Sequence, residues 1–435
     1  MQTTMWLALI VFIVTYLLIS IRRFRWFNIE RPAVAILGAA LMILLGVVTP
    51  QEAVEAVDLN ILALLLGMML LVAALQLCGF FTWVSLRIIG SSKNQFEFLV
   101  LIMAATAILS ALILNDAVVL LFTPIIIQTC RLINANPIPF LVAEAVSANI
   151  GSVATEVGNP QNVFIASQSN IPFVDFSVRL LPVAAISLFV AIVLIWLAFR
   201  KDLRVVDDAK ARRLFPREVS RAIDCEAARC KIDFEGMHKS VYVVLGVMAA
   251  VFMGFILSSV IGLPLSIIAI IGGSVVLFTL PLFNRKASAK SILGGVDWTL
   301  LLFFVGLFIV LKGVEVSGLM SEMVAVFQST GQGLTSVAGL TAFSGILSNL
   351  ISNVPAVMLL SPFLVTIGNT TLWLTLAASS TLAGNATILG AAANVIVAEN
   401  GERMGVDISF WKFVKAGFPI TVVTLLVSIV LLSIL

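Results

Sequence analysis

Apolar runs of bilayer-spanning length recur along this chain and leave few folds open to it. Hydrophobic residues make up 60% of the sequence and charged residues 11%, whereas soluble domains carry about 25% charged residues. Because lipid offers the backbone no hydrogen-bonding partner, a spanning segment must form a helix or part of a closed barrel. Runs of about 17–25 residues fit helices, so we predict an all-α polytopic membrane protein with about ten transmembrane helices. The predicted spans are 5–21, 31–48, 57–77, 138–169, 178–199, 240–259, 263–281, 297–316, 371–399 and 413–434, of which 138–169 and 371–399 are long and interrupted.

Four further apolar segments are short for a span, namely 98–112, 116–129, 335–350 and 355–368. They form two pairs, which meet at Asn115 and at Asn353. A chain can turn back at membrane depth only where protein or a water-filled cavity covers its backbone. We therefore predict two re-entrant hairpins, near residues 98–131 and 335–368.

The two halves of the chain share an internal repeat. VDLNILALLLGMMLLVAALQLCG (57–79) matches VDWTLLLFFVGLFIVLKGVEVSG (296–318) at the opening Val-Asp pair and at two glycines, all at one offset. NDAVVLLFTP (115–124) matches NVPAVMLLSP (353–362), and SVATEVGNPQNVFIA (152–166) matches GNATILGAAANVIVA (384–398). Five spans per repeat is an odd number, so the halves insert with opposite topology, as in alternating-access carriers. The alternative is a duplication kept only for packing, but the matched residues are polar or helix-breaking.

Charge placement orients this arrangement in the membrane. The predicted organisation is a first inverted repeat at 1–199, a cytoplasmic basic loop at 200–239 and a second inverted repeat at 240–435. Loop 22–31 carries four arginines against one glutamate, and the long loop carries eleven Lys and Arg residues. The positive-inside rule places both loops in the cytoplasm. With five spans on either side of the long loop, both termini are expected in the periplasm of a multi-pass inner-membrane protein.

Polar, helix-interrupting residues at matching positions of two halves are typical of a transporter binding site near the bilayer midplane. Glycine and proline unwind the helices there, so that freed amides favour anions and freed carbonyls favour cations. Close helix packing is the alternative role for any single small residue. The predicted substrate-binding residues are Asn115, Asp116, Thr155, Gly158, Asn159, Asn162, Ser352, Asn353, Asn385, Thr387 and Asn394.

Ionisable residues at membrane depth are candidates for energy coupling, because burying a charge there is costly. The predicted ligands of a coupling ion, H⁺ or Na⁺, are Asp116 and Glu156 together with Asn115 and Asn353. Glu144 also lies in an apolar run.

Other charged residues receive structural interpretations. Lys312 and Glu315 lie three residues apart on one helical face, so a structural ion pair is at least as favoured as a role in transport. Asp58 and Asp297 each open a span and are predicted to cap its helix. No basic residue is expected within the polar constellation. A multiply charged anion bound by a salt bridge would call for one, whereas a small neutral hydroxide or a cation exchange would not.

The four cysteines do not predict a disulfide framework. Cys78 and Cys130 lie at the edges of apolar segments, whereas Cys225 and Cys230 lie in the cytoplasmic loop, where thiols stay reduced. Cys225, Cys230 and His238 are interpreted as ordinary loop residues. The alternative interpretation, that they bind a metal or an arsenical, is less favoured. No resident metal is expected.

Three segments resemble the ion transporter superfamily: NDAVVLLFTP, AVSANIGSVATEVGNPQN (145–162) and ISNVPAVMLLSP (351–362). That superfamily includes arsenite/antimonite permeases, NhaD-type antiporters, citrate-metal carriers and divalent anion/sodium symporters, and the resemblance covers about 57–170 and 296–400. It implies two re-entrant hairpins, a scaffold that forms a homodimer, and an elevator-like movement of the hairpin domain.

The hairpin tips favour one branch of the superfamily. Its dicarboxylate branch carries Ser-Asn-Thr at both tips. Here Ser352 and Asn353 match the second copy but Val354 replaces its Thr, and only Asn115 matches the first. Asn115-Asp116 is closer to the arsenical permease branch. The resemblance therefore implies a proton-coupled carrier of a small inorganic anion or metalloid, with arsenite or antimonite favoured. The alternatives are a sodium-coupled anion or dicarboxylate symporter and a Na⁺/H⁺ antiporter.

Enzyme classes receive no support from the sequence. An intramembrane protease needs a second catalytic Asp in a GxGD setting, or a Ser with a His at membrane depth, and neither pattern occurs. No cofactor is expected, with Na⁺ as the alternative coupling ion. The expected partners are membrane lipid, the small solute and a second copy of the chain. A separate ATPase subunit could dock on the basic loop, and no nucleic acid is expected.

Overall fold

The computed structural model describes residues 2–20, 30–133, 135–203, 234–284, 287–330 and 333–434. Within these ranges every regular element is a helix. The helices are α1 (Gln2–Ser20), α2 (Arg31–Leu44), α3 (Pro50–Glu55), α4 (Leu59–Leu77), α5 (Phe80–Ser91), α6 (Gln95–Leu112), α7 (Asn115–Leu132), α8 (Ile138–Ser152), α9 (Pro160–Ser169), α10 (Phe173–Phe199), α11 (Phe234–Ile261), α12 (Leu265–Phe283), α13 (Ala289–Gly294), α14 (Trp298–Val316), α15 (Leu319–Thr330), α16 (Val337–Ile351), α17 (Asn353–Ile367), α18 (Thr370–Ala383), a 3₁₀ turn (Gly384–Ala386), α19 (Ala392–Arg403) and α20 (Phe410–Ile434).

Eight helices in the described part of the chain are long and apolar enough to cross a membrane: α1, α4, α6, α10, α11, α12, α14 and α20. The predicted all-α polytopic fold is confirmed. One of the eight, α6, contains segment 98–112, which we had judged short for a span. Asn94 caps this helix by accepting from the Glu97 amide (2.8 Å). The helix therefore begins before its apolar run, and its 18 residues give a length of about 27 Å.

The helices α6 and α7 form a hairpin, called here the first hairpin. The rings of Phe98 in α6 and Phe140 in α8 are 5.2 Å apart, and Gly151 of α8 contacts Ala107, so α6 and α8 run parallel. Asn115 at the start of α7 contacts Asn149 near the end of α8, whereas Thr123, further along α7, contacts the earlier Glu144. The helix α7 is thus antiparallel to both. Residues 113–114 form the tip of the first hairpin. The helices α16 and α17 form the second hairpin, and Ser352 is its tip.

Helix caps repeat between the two halves. Thr49 and Ser288 each form a capping box at the start of the short helices α3 and α13. The Thr49 backbone and hydroxyl both donate to Glu52, and these hydrogen bonds lower the pKa of that carboxyl. As predicted, Asp58 and Asp297 cap α4 and α14.

The two repeats interlock through their glycines. A Cβ added to Gly67 of α4 would collide with the Ala269 backbone of α12, and one added to Gly306 of α14 would collide with the Ala35 backbone of α2. Each glycine thus admits a helix from the other half, and the two contacts are related by the repeat. Because Gly313 of α14 similarly meets Met42 of α2, this pair runs parallel. The four helices form a framework beside the hairpins.

Two helices are broken where the sequence predicted interruptions. Residues 153–159 separate α8 from α9, and the 3₁₀ turn with residues 387–391 separates α18 from α19. Four helices were not predicted: α3, α5, α13 and α15. The helices α5 and α15 each follow a glycine with positive φ, Gly79 at 72° and Gly318 at 81°, where a residue without a Cβ turns the chain at little cost. Cys225 and Cys230 lie outside the described residues.

Candidate functional site

Both hairpin tips face a common cavity of about 240 Å³, called here the tip pocket. It lies between the tips, the two helix breaks and the starts of α2 and α14. The predicted residues Asn115, Asp116, Ser352 and Asn353 come together here. The full lining is Arg31, Pro32, Asn115, Asp116, Pro160, Gln161, Asp297, Thr299, Leu300, Phe303, Ser352, Asn353, Val354, Ala391, Ala392 and Ile396.

Six helices begin at this cavity. The lining includes the first residue or the N-cap of α2, α7, α9, α14, α17 and α19. Each helix N-terminus leaves backbone N–H groups without intrahelical partners and carries the positive end of its dipole. Six such ends around one small cavity favour an oxygen-rich solute.

Arg31 is a pocket residue that sequence reasoning missed. The sequence places Arg31 in the cytoplasmic loop 22–31 and predicts no basic residue in the constellation, and that prediction is wrong. Arg31 is the first residue of α2, and its Nη1 donates to Ser352 Oγ at the second tip (3.3 Å). Pro32 carried the signal that was overlooked, since proline favours the first turn of a helix and thus places Arg31 on the helix.

The side-chain charges of the pocket offset each other. Asp116 attracts the Arg31 guanidinium electrostatically, and Asp297 also lines the pocket. Asp297 Oδ1 accepts from the amides of Thr299 (3.0 Å) and Leu300 (3.1 Å) at the start of α14. With two carboxylates against one guanidinium, the lining offers no excess of positive side-chain charge.

The other seven predicted binding residues do not line the tip pocket. Five of them lie in the two helix breaks, and Asn162 and Asn394 lie in the first turns of the helices that follow, α9 and α19. Asn162 Nδ2 donates to the carbonyls of Ser152 (3.1 Å) and Thr155 (3.0 Å). Its repeat counterpart Asn394 donates to the carbonyls of Gly384 (2.8 Å) and Thr387 (2.9 Å). Each asparagine donates to two backbone carbonyls that the unwound helix leaves without intrahelical partners. The two breaks are therefore stabilised in the same way.

The first tip is tied to the first break by its backbone. The Asn115 amide donates to the Gly158 carbonyl (2.9 Å), and Thr155 Oγ1 donates to the Ala111 carbonyl (2.5 Å). A Cβ at Gly158 would collide with the Ser152 carbonyl, so this approach requires glycine.

The second break has an equivalent glycine and tip contact. A Cβ at Gly390 would collide with the Gly384 carbonyl. When the Asn353 side-chain nitrogen faces Gly390, it donates to the Gly390 carbonyl (3.1 Å), and Asn353 Oδ1 accepts from Gln161 Nε2 (3.2 Å).

Asn149 joins the two halves of the site. Its Nδ2 donates to the Oδ1 atoms of Asn385 and Asn394 in the second break, both at 2.9 Å, and its Oδ1 accepts from Asn115 Nδ2 (3.2 Å). In the opposite direction, Gln161 Nε2 and Asn159 Nδ2 donate to Thr381 Oγ1 at the end of α18 (3.1 and 3.4 Å). Each broken span therefore contacts the other.

The remaining acidic candidates lie away from the tip pocket. Glu156 is fully buried in the first break, and neither of its carboxyl oxygens has a hydrogen-bond partner. Glu144 is also fully buried, and its Oε2 lies 3.0 Å from Thr123 Oγ1. Lys312 and Glu315 form the predicted ion pair at 3.1 Å.

Comparison with known proteins agrees with this architecture. Residues 9–383 match the family model described as citrate transporter. The 46 kDa membrane protein of Mycobacterium leprae is 30% identical, over 96% of each chain. A silicon efflux transporter of Oryza sativa subsp. japonica is 29% identical, over 93% of each chain. A transporter named arsB of Dictyostelium discoideum is 25% identical, over 92% of this chain and 87% of its own.

The family match extends over the first repeat, the framework and the second hairpin, and thus over nearly all residues of the tip pocket. It confirms the resemblance seen in the tip and break segments, and it points to transport rather than to enzymatic chemistry. The chain belongs to the citrate transporter family of the ion transporter superfamily and is a multi-pass membrane transporter.

Proposed function

We propose that the protein is a secondary active transporter of a small inorganic anion or metalloid, with arsenite or antimonite favoured, driven by the proton gradient. The observation that carries this proposal is the tip pocket, where two hairpin tips and six helix N-termini surround a cavity of about 240 Å³. Its position between two repeats joined by Asn149 suits a site that opens to one side of the membrane at a time.

Pocket chemistry supports a solute that donates hydrogen bonds. Asn115 Oδ1 is buried without a donor, and Asp116 adds carboxylate oxygens to the same wall. An uncharged inorganic hydroxide presents several O–H donors, and its oxygens accept from the helix N-termini. Silicon and trivalent arsenic both exist as such hydroxides in neutral water. Two relatives are named for silicon efflux and as arsB.

Asp116 is the proposed proton site. It shares the pocket with Arg31 and interacts with it electrostatically, so protonation of Asp116 removes the countercharge of the guanidinium. Arg31 belongs to the framework, whereas Asp116 and Ser352 belong to the hairpins. Loss of the Asp116 charge therefore weakens one link between the framework and the hairpins. In the proposed elevator cycle, the hairpins with α8, α9, α18 and α19 then move past the framework.

A sodium-coupled carboxylate or anion symporter is the second candidate. Arg31 favours it, because a guanidinium pairs well with carboxylates, and the matching family model is described as citrate transporter. Sodium would then be held by the oxygens of Asn115, Asp116 and Asn353 in the tip pocket, with Glu156 as the candidate ligand of a separate ion in the first break. A Na⁺/H⁺ antiporter remains the third alternative. In every version we propose an inner-membrane homodimer with periplasmic termini, with an ATPase subunit on the basic loop as an optional partner.

Transport by purified protein in liposomes tests these proposals. Arsenite, silicic acid, phosphate, succinate and citrate are offered in turn, with a proton gradient or a sodium gradient imposed separately. We expect proton-driven movement of arsenite or silicic acid and its loss in Asp116→Asn. Asp175→Asn is the matched control, because Asp175 is exposed in the first turn of α10. Sodium-driven uptake of citrate or succinate would replace our proposal with the second candidate.

A further inference from the structure

A second cavity lies at the opposite ends of the framework helices. It is lined by the first turns of α4 and α12, the end of α11, and the first break with α9 and the start of α10. Asp58, the N-cap of α4, lines a cavity together with Lys312 and Glu315 at the end of α14, and α14 runs parallel to α2. The start of α4 and the tip pocket therefore lie at opposite ends of these helices, toward opposite faces of the membrane. The second cavity measures about 480 Å³, and the exposed residues Gly262 and Leu263 form part of its rim.

Glu156 is the single charged residue that lines the second cavity. Its polar neighbours in the lining are all neutral: Asn60, Ser167, Asn170, Ser258, Ser259 and Ser266. Asp58 lies one hydrogen bond beyond the lining, since it accepts from Ser167 (2.8 Å) while capping α4. No cationic side chain among the lining residues compensates a charge on Glu156.

The carboxyl group of Glu156 is fully buried, and neither oxygen has a donor within hydrogen-bond distance. An ionised carboxylate in such a setting is strongly destabilised, so it takes up a cation or a proton. Neither oxygen accepts a hydrogen bond from a lining hydroxyl or amide. Protonation removes the charge without any further ligand, whereas sodium needs several oxygens around it, and we therefore take the bound cation to be a proton and test sodium against it below.

Glu156 is linked mechanically to the first hairpin tip. The preceding residue, Thr155, donates to the Ala111 carbonyl at the end of α6, and the Gly158 carbonyl accepts from the Asn115 amide. A change of charge at Glu156 therefore acts on a short loop that is fastened at both ends to the tip. The corresponding residue of the second repeat is Ile388, so this carboxyl has no counterpart there.

We infer that Glu156 is a proton-binding residue of the transport cycle and exchanges its proton through the second cavity, from the membrane face opposite to the tip pocket. This inference rests on the proposed proton-coupled function and adds a second proton site to Asp116. Glu156 loads from one face while the tip pocket is open to the other. Its protonation state is then transmitted to the tip through Thr155 and Gly158.

Glu144 provides a matched control in the same region. It is equally buried, but it lines none of the cavities described above, and its carboxyl contacts Thr123. Glu144→Gln and Glu156→Gln each replace one buried carboxyl by an amide of nearly the same shape. A general effect of removing a buried acid would appear in both variants, whereas a proton-coupling effect would appear only in Glu156→Gln.

The first test measures access to the carboxyl directly. A water-soluble carbodiimide with an amine nucleophile is added to one side of oriented vesicles that contain the full chain, and labelled glutamates are located by mass spectrometry. We expect Glu156 to be labelled only from the side of the second cavity, and Glu144 from neither side. Equal labelling of the two residues, or none of Glu156, would overturn the inference. Protection of Glu156 by sodium would overturn the choice of a proton.

The second test separates coupling from transport. In liposomes, Glu156→Gln should still exchange labelled solute between equal concentrations but should lose proton movement and gradient-driven accumulation. Glu144→Gln should retain both. If Glu156→Gln moves protons as the wild type does, the inference is wrong while the proposed function stands. If the wild-type protein carries no tested solute, the proposed function fails, and the labelling result alone decides whether Glu156 binds a proton.

Discussion

At the scale of single residues, Arg31 connects the framework to the second tip by donating to Ser352 Oγ. Hydrogen bonds that involve a charged group contribute about 1.5–3 kcal/mol, which corresponds to about a ten- to hundred-fold change in an equilibrium. Arg31 also lines the tip pocket, so Arg31→Ala removes a charged hydrogen-bond donor from the proposed solute site. We therefore expect this variant to raise KM for the solute by about that factor. Arg31→Lys should recover only part of the loss, because an ammonium lacks the planar fork of the guanidinium. Initial rates in proteoliposomes measure both variants.

Lys312→Ala is the control for the loss of a positive charge. Lys312 lies on α14, and its ion pair with Glu315 is partly exposed. Surface pairs of this kind contribute little to stability. An unchanged KM in Lys312→Ala beside a raised KM in Arg31→Ala would assign the effect to the tip pocket. A similar change in both variants would contradict the role given to Arg31.

The glycines of the breaks give a second prediction at this scale. Because a Cβ at Gly158 or Gly390 would meet a backbone carbonyl, Gly158→Ala and Gly390→Ala should lower both thermal stability and transport. Gly246 lies in α11 with open space where its Cβ would be. Gly246→Ala should therefore be neutral or stabilising by up to about 1 kcal/mol. Thermal unfolding in detergent compares the three variants, and equal behaviour would argue against the close approach.

At the scale of elements, Ser352 forms the second tip in a strained conformation, with φ 77° and ψ 159°. This region is populated almost only by glycine and costs other residues about 1–3 kcal/mol. Ser352→Gly and Ser352→Ala both remove the hydroxyl that accepts from Arg31, and they differ only in the Cβ. We expect the glycine variant to be more stable than the alanine variant by about 1–3 kcal/mol in thermal unfolding.

The first tip is the control for this prediction. Its corresponding residue, Leu114, has φ −54° and carries no such strain. Leu114→Gly should therefore destabilise the protein, because glycine adds backbone entropy to the unfolded chain and a buried side chain is lost. If glycine affected both tips alike, the strain at Ser352 would not be the cause.

Much of the element order could be read from the sequence, because apolar run length and helix-breaking residues act locally. The two tips, both interruptions and the caps at Asp58 and Asp297 were predicted in this way. Contacts between distant segments could not be. Asn149 donates to Asn385 and Asn394, which lie more than half the chain away in sequence. A single sequence contains no signal that such distant residues are close in space. Arg31 was assigned to the loop for a related reason, because counting Lys and Arg residues between two spans does not distinguish a loop residue from one in the first turn of a helix.

At the scale of the whole molecule, each half of the chain contacts the other half through an equivalent pair of helices. Gly67 meets Ala269 in one framework pair, and Gly306 meets Ala35 in the other. The same correspondence relates α2 to α12, and thus relates Arg31 to Leu265, the first residue of each helix. It also relates Ser352 to Leu114 at the two tips. In this structure Arg31 contacts Ser352 at the second tip.

Alternating access by this symmetry predicts that the opposite state exchanges one tip contact for the other, so that Leu114 approaches Leu265. In a background without Cys78, Cys130, Cys225 and Cys230, the pairs R31C/S352C and L114C/L265C should each form a cross-link with a short bifunctional thiol reagent. Both cross-links should block transport, because each one holds the protein in one conformation and prevents it from adopting the other. A solute that favours one state should raise one cross-linking rate and lower the other. If L114C/L265C never reacts under conditions in which that variant still transports, then the hairpins do not move past the framework as the repeat symmetry requires.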